Sequence, residues 1–199
     1  MTLKEEEALN QWLDEQLKAR LIVESKSRYT APCFYIPKKD GLLQLVQNYR
    51  KLNQVTIKDK TLLQLIGEVI DKLKEANYLN KLDLIWIYNN VQIKEGDKWK
   101  VAFPTNKELF EPQVIYFRLC NSPRTFQQMM NSIFRELLHE GVLANYMDDF
   151  VISANMMKEL EELTIQFLKI AEKHNLCFKR SKCNFNMEEI LILGVVIGK

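Results

Sequence analysis

The sequence predicts an α+β fold, an antiparallel sheet with helices packed on one face, and three observations carry that reading. Short runs of β-branched and aromatic residues alternate along the chain with segments of helical periodicity. Turn signals fall at the joins, as at Lys38-Lys39-Asp40-Gly41 and Asn121-Ser122-Pro123. No internal repeat, low-complexity stretch or Pro/Ser-rich linker interrupts the pattern.

Leu9, Trp12, Leu13, Gln16, Leu17 and Leu21 recur at helical spacing among Glu and Lys, so residues 4–23 are expected to form an amphipathic docking helix. Pro32 to Pro37 is expected as a short strand, Lys38 to Gly41 as a turn and Leu42 to Tyr49 as the returning strand of a basic hairpin. The spacing of Leu65, Ile66, Val69, Ile70 and Leu73 predicts a helix over 64–75 that leads into the apolar run Tyr78 to Ile93. Lys98 to Phe103 is expected to be strand, and Phe110 to Leu119 mostly extended. Asn121-Ser122-Pro123 then starts a helix to Leu138, with proline in the first turn where its missing N–H costs nothing. Val142 to Ser153 is two apolar runs broken by Asp148-Asp149. A helix over Lys158 to His174 follows, and Ile190 to Ile197 reads as strand.

With 199 residues and 47% hydrophobic content, the chain can bury a substantial core. It has no apolar run of about 18 residues and no basic-then-apolar leader, so neither a membrane span nor a signal peptide is expected and an intracellular location is. Cys33, Cys120, Cys177 and Cys183 form no C-x-x-C pair and His139 and His174 have no ligand-like spacing, which suits reduced thiols better than a structural zinc site. The net charge is only +2, but its distribution is uneven. Lys26, Arg28, Lys38, Lys39, Arg50, Lys51, Lys58 and Lys60 oppose only Asp40 and Asp59 between residues 25 and 60, and the stretch 173–187 has basic side chains and no acid. Such patches suit phosphates, with a solvated surface as the competing reading.

Asp148 and Asp149 lie between β-forming residues, where a tight turn presents both carboxylates at a hairpin tip. Their repulsion calls for a cation, whereas a solvated Asp-Asp turn needs none. Asp83 sits inside the apolar run Lys81-Leu82-Asp83-Leu84-Ile85 and must either point off the buried face or be compensated. Together the three could hold two metal ions roughly 3.5 to 4 Å apart. Oxygen-only ligands favour Mg²⁺, with Mn²⁺ a possible substitute.

Tyr146-Met147-Asp148-Asp149 resembles the Y-x-D-D box of reverse transcriptases, and Lys81-Leu82-Asp83-Leu84 the box with their first catalytic aspartate. Pro37-Lys38-Lys39-Asp40-Gly41 with Tyr49-Arg50-Lys51-Leu52-Asn53 is similar to the fingers motif of gypsy-type LTR retrotransposons. Phe117 to Gln127 is similar to their F-G-L-x-N-A-P-x-T-F-Q, Lys182-Cys183-Asn184-Phe185 to K-C-x-F, and Leu193-Gly194-Val195-Val196-Ile197 to the primer-grip motif. The resemblance runs from about residue 20 to the end.

The resemblance implies a reverse transcriptase fingers and palm: an N-terminal helix over 1–24, fingers at 25–80 and 104–121, and a ferredoxin-like palm at 81–103 and 122–199. It implies an RNA-directed DNA polymerase that joins a dNTP to a primer 3′-hydroxyl on an RNA or DNA template. Asp83, Asp148, Asp149 and the backbone of Leu84 would hold the metals, and Lys182 would act as general acid toward pyrophosphate. Lys38, Lys39, Phe117, Arg118 and Gln127 would lie around the dNTP, with Tyr88 as the steric gate or else an ordinary core aromatic. Arg50, Asn53, Tyr146, Met147, Leu193 and Gly194 would meet nucleic acid. Further polyprotein domains (thumb, ribonuclease H and integrase) are implied beyond this stretch.

The chain also departs from the family pattern. Gln44 stands where the family has arginine, Asn48 for its aspartate, Arg118 for its glycine, Ile87 for a small residue and Ser122 for alanine. These changes support an alternative expectation, a weakened or inactive remnant, or a domesticated protein, that binds nucleic acid.

Overall fold

The computed structural model describes residues 3–37, 43–61, 66–85, 87–116 and 118–198. In chain order its elements are α1 (Leu3–Lys18), β1 (Ile22–Glu24), β2 (Cys33–Pro37), β3 (Leu43–Gln47), α2 (Arg50–Val55), α3 (Ile66–Leu73), β4 (Tyr78–Ile85), β5 (Phe103–Pro104), β6 (Leu109–Pro112), α4 (Ser122–Ile133), α5 (Arg135–His139), β7 (Leu143–Tyr146), β8 (Asp149–Ala154), α6 (Met157–Lys173), β9 (Cys177–Phe178), β10 (Asn184–Met187), β11 (Glu189–Ile192) and β12 (Val195–Gly198). Short 3-10 turns occupy Ile87–Asn90, Lys98–Val101 and Arg180–Lys182. These elements form two compact units, Met1–Lys58 with Val91–Ser122, and Asp59–Asn90 with Pro123–Lys199.

In the first unit α1 buries Leu9 and Leu13 against Ile22, Phe103 and Phe110. The helix ends at Lys18, short of the expected residue 23, because Arg20 turns into the left-handed region at φ 56. Ile22–Glu24 then pairs antiparallel with β6, from Ile22 opposite Pro112 to Glu24 opposite Phe110. Local helical periodicity yields here to a partner strand far along the chain. β2 and β3 pair from Cys33 opposite Gln47 to Pro37 opposite Leu43; the expected turn at 38–41 lies outside the described residues. Lys98–Val101 is a 3-10 turn instead of the expected strand, held by ion pairs of Lys98 with Glu95 and Lys100 with Asp97 at three-residue spacing.

The second unit is built on the antiparallel order β10-β4-β8-β7, with β9 also pairing β4. Side chains alternate across this sheet, so its two faces carry different jobs. On one face Phe150 of β8 meets Phe134 and Phe167, fully buried rings that stack with centroids 4.5 Å apart, and Asn80 of β4 donates to the Thr164 hydroxyl of α6 at 2.7 Å. On the other, Leu79, Ala144 and Val151 pack with Leu73 and Ala76 and with Ile190, Ile192 and Ile197 of the β11–β12 hairpin. That hairpin refines the expected single strand at 190–197. It turns at Leu193 (φ 51) and Gly194 (φ 81), the pair of left-handed residues that a two-residue hairpin turn requires. The helix expected over 64–75 is described over Ile66–Leu73, and Lys158 to His174 appears as Met157–Lys173. Among the described residues no helix is long and apolar enough to cross a membrane.

Candidate active site

The turn between β7 and β8 has Met147 and Asp148 as its two linking residues, and Met147 adopts φ 57. A left-handed non-glycine residue costs about 1 kcal/mol or more, so something must hold it. Gln127 does. This residue of α4 is buried, its Oε1 accepts the Met147 N–H at 2.9 Å, and its Nε2 donates to Asn131 Oδ1 at 3.0 Å. From β4 the Leu84 N–H donates to the Asp148 carbonyl at 3.0 Å. Gln127, expected beside a nucleotide, thus lies beneath the turn with its amide bonded to protein.

The register aligns Asp83 of β4 directly opposite Asp149 of β8. Lys182, from the 3-10 turn before β10, donates to Asp83 Oδ2 at 2.9 Å, and Lys81 lies 3.0 Å from Asp149 Oδ1. Asp83 is 7% exposed, so its compensation by an ammonium is what makes burial of a carboxylate tolerable. Burial pushes the Asp148 carboxyl above the usual range; the charges of Asp149 and Asp83 add to that rise, while its own backbone hydrogen bond and Lys182 oppose it. The hydrogen bond to Asp83, and then its charge, hold Lys182 above the usual lysine value. Asp83, Asp148, Asp149, Lys81 and Lys182 line one cleft, walled by residues of β10 and β11.

Among the described residues no three acid, histidine or cysteine side chains converge closely enough to form a ready metal cage. The donor chemistry nevertheless fits a hard divalent cation: the available donors are carboxylate oxygens, and a cation would offset the burial, and then the neighbouring charges of Asp149 and Asp83, that raise the Asp148 carboxyl. Two of the three carboxylates carry lysine ammoniums in that role here.

Tyr88 stands at the same site, half-buried, its ring edge-on to Phe126 with centroids 6.1 Å apart, and burial followed by the charge of Asp148 raises its hydroxyl. Tyr146 pairs opposite Asp149 at the end of β7. Leu193 and Gly194 are the turn of the β11–β12 hairpin.

Arg50, Asn53 and Arg118 lie in the first unit, in a cleft shared with Phe34, Gln47, Asn48 and Tyr49. Asn53 donates to the Arg118 carbonyl at 2.8 Å and accepts the Cys120 N–H at 2.9 Å, so this residue, expected at nucleic acid, clamps its own loop. The Arg118 guanidinium lies 5.6 Å from the Phe34 ring centre. Asn48 accepts the Arg50 N–H at 3.2 Å just before α2. Ser122 donates its hydroxyl to the Tyr116 carbonyl at 2.7 Å. Lys38, Lys39 and Phe117 lie outside the described residues.

Sequence reasoning missed Lys81 as a site residue. The signal was its two-residue spacing from Asp83, which in a strand puts both on one face.

Residues 36–197 match the family model described as reverse transcriptase (RNA-dependent DNA polymerase). The chain is 34% identical over 191 residues to the retrovirus-related Pol polyprotein from transposon 297 of Drosophila melanogaster, covering 93% of this chain and 18% of that protein. It is 29% identical over 193 residues to the transposon Tf2-3 polyprotein of Schizosaccharomyces pombe, covering 97% of this chain and 14% of that one. The chain therefore spans less than a fifth of these relatives. The foamy viral protease-reverse transcriptase in complex with dsDNA superposes with a TM-score of 0.89 at 21% identity, covering 100% of this chain and 41% of that one. The same protein in complex with RNA/DNA hybrid gives 0.89 at 20% identity, covering 100% and 26%. At such identity the likeness is one of fold.

Proposed function

Because the chain belongs to the reverse transcriptase family, and specifically resembles domains of retrotransposon polyproteins, we propose that it is an RNA-directed DNA polymerase domain of the gypsy type. In this reading the first unit serves as fingers and the second as palm, and the partners are a primed RNA or DNA template and a dNTP. One observation carries the proposal: β4 and the β7–β8 turn bring Asp83, Asp148 and Asp149 to one cleft with Lys182 and Tyr88 beside them.

Asp83, Asp148 and Asp149 would hold two Mg²⁺ ions, which when bound lower the pKa of a primer hydroxyl and neutralise charge on the leaving group. The chain's own residues supply the rest. Gln127 and Leu84 fix the turn, so the Asp148 carboxylate is oriented before substrate arrives. Lys182 keeps its proton above the ordinary lysine range, so its positive charge suits it to neutralise the leaving pyrophosphate. Tyr88, half-buried against Phe126, is a stiff wall suited to excluding a 2′-hydroxyl. Arg50 and Arg118, in a cleft with no acidic side chain among its described residues, suit phosphates of the template strand.

The test is Mg²⁺-dependent extension of a DNA primer on an RNA template by the purified chain, beside Asp148→Asn. Extension by the wild type, reduced at least about a thousandfold in the variant, is the expected result for loss of a metal carboxylate. A folded wild-type chain that binds Mn²⁺ yet extends nothing would instead identify a nucleic-acid-binding remnant.

A further inference from the structure

We propose that Lys81 is a positioning residue that ties Asp149 to the β11–β12 hairpin and competes there with a divalent cation. The inference rests on the reading of Asp83, Asp148 and Asp149 as metal carboxylates.

Lys81 leaves β4 on the same face as Leu79 and Asp83, the face covered by the β11–β12 hairpin. Its ammonium does two things at once. It pairs with Asp149 Oδ1 at 3.0 Å, and it donates to the Leu191 carbonyl of β11 at 3.0 Å. The side chains of the pair are only 17% and 21% exposed, so solvent screens the contact less than it would a surface ion pair. Lys182 makes a different arrangement, since its recorded partner is Asp83, on the strand that carries Lys81 itself. Lys81 is therefore the side chain that joins a site carboxylate to the hairpin backbone.

The consequence follows from charge. An ammonium on Asp149 stands where a cation would bind, and a divalent ion taking that carboxylate displaces it. When Lys81 leaves Asp149, its hold on Leu191 loses the carboxylate that orients it, so metal occupancy and hairpin order become linked through one side chain. Linkage is reciprocal: whatever tightens the hairpin onto Lys81 must also alter the metal affinity. The rest of the hairpin is anchored separately, by Ile190, Ile192 and Ile197 in the apolar cluster, so losing the Lys81 bond loosens it without unfolding it.

The experiment measures Mn²⁺ affinity by electron paramagnetic resonance, and hydrogen exchange of the β11–β12 amides without metal, in the full chain. Lys81→Met removes the competitor and both bonds. It should bind Mn²⁺ roughly three- to tenfold more tightly and exchange the hairpin amides several-fold faster, the range for a partly exposed charge-assisted bond. Lys81→Arg keeps charge and donors and should restore both values. Lys81→Gln removes the charge but keeps a donor, so it should tighten Mn²⁺ binding like the methionine. Mn²⁺ affinity that is unchanged or weaker in Lys81→Met, or hairpin exchange that does not change, overturns the proposal while leaving the metal reading intact. Asp148→Asn serves as the separate control: if it binds Mn²⁺ as tightly as wild type, the metal reading itself fails and the Lys81 proposal falls with it.

Discussion

Each unit contains a cleft whose loop is held by a single side-chain amide, yet the two clefts carry opposite charge. In the first unit Asn53 clasps the backbone of Arg118 and Cys120, and the cleft it shares holds Arg50 and Arg118 with no acid among its described residues. In the second Gln127 holds the Met147 N–H, and the cleft holds Asp83, Asp148 and Asp149, partly neutralised by Lys81 and Lys182. A neutral amide can satisfy a loop's backbone without adding to the field, which leaves charge free to be set by whatever must bind. The first cleft gathers cations. In the second, anions are crowded until cations arrive.

The sharpest way to break this comparison is to remove each amide. Gln127→Leu leaves a part-buried N–H without its acceptor at a residue already in the left-handed region, so it should cost about 1 to 2 kcal/mol of stability. It should also lower primer extension about ten- to a hundredfold through a misplaced Asp148; urea unfolding and single-turnover extension would read the two effects. Asn53→Leu removes two bonds from a half-buried loop and should cost about 1 to 2 kcal/mol by the same unfolding assay, while Mn²⁺ affinity stays constant. If Asn53→Leu weakened Mn²⁺ binding as strongly as Gln127→Leu, the two clefts would not be separable in this way.

Charge offers the next test. Arg50→Ala and Arg118→Ala should each weaken binding to primed template about three- to tenfold and reduce its salt dependence by about one phosphate contact. Fluorescence anisotropy across a salt series measures both quantities, and an unchanged slope would exclude phosphate contact at that arginine.

The smallest expected effect is in pH. A carboxyl raised above the ordinary aspartate value of about 3.9 stays protonated to higher pH, so Asp148 stabilises the metal-free fold at low pH and that contribution is lost as pH rises through its folded value. Mn²⁺ needs the ionised form, so affinity should begin to fall while pH is still above the ordinary range. Asp149→Asn removes one neighbouring charge and should shift that fall to lower pH, as a titration of Mn²⁺ affinity would detect.

Much of the fold was legible where one period ran long enough. The helix at 158–174 and the hairpin around Asp148 and Asp149 follow from spacing and β-forming flanks. Short amphipathic segments were less legible. Lys98 to Phe103 alternates like a strand, yet neighbouring acids at three-residue spacing favour the 3-10 turn. Ile22 and Val23 were expected in the N-terminal helix, but pairing with β6 made Ile22–Glu24 a strand. The hold of Gln127 on the Met147 N–H was not legible either, because motif order says which residues recur together and nothing of which way a buried amide turns.

The sequence by itself singled out three aspartates, two of them adjacent between β-forming residues, as the expected chemical centre, because a third acid in an apolar run and the resemblance of both boxes to those of reverse transcriptases outweigh a solvated turn. Only the tertiary structure decided how they are held. The register that sets Asp83 opposite Asp149, and the cations that meet them, arise from segments about a hundred residues apart for Lys182 and from a diagonal across two strands for Lys81. Side-chain identity is local, whereas the partner of a charge depends on which backbone hydrogen-bond ladder brings a second segment within about 3 Å, and that choice belongs to the packed sheet.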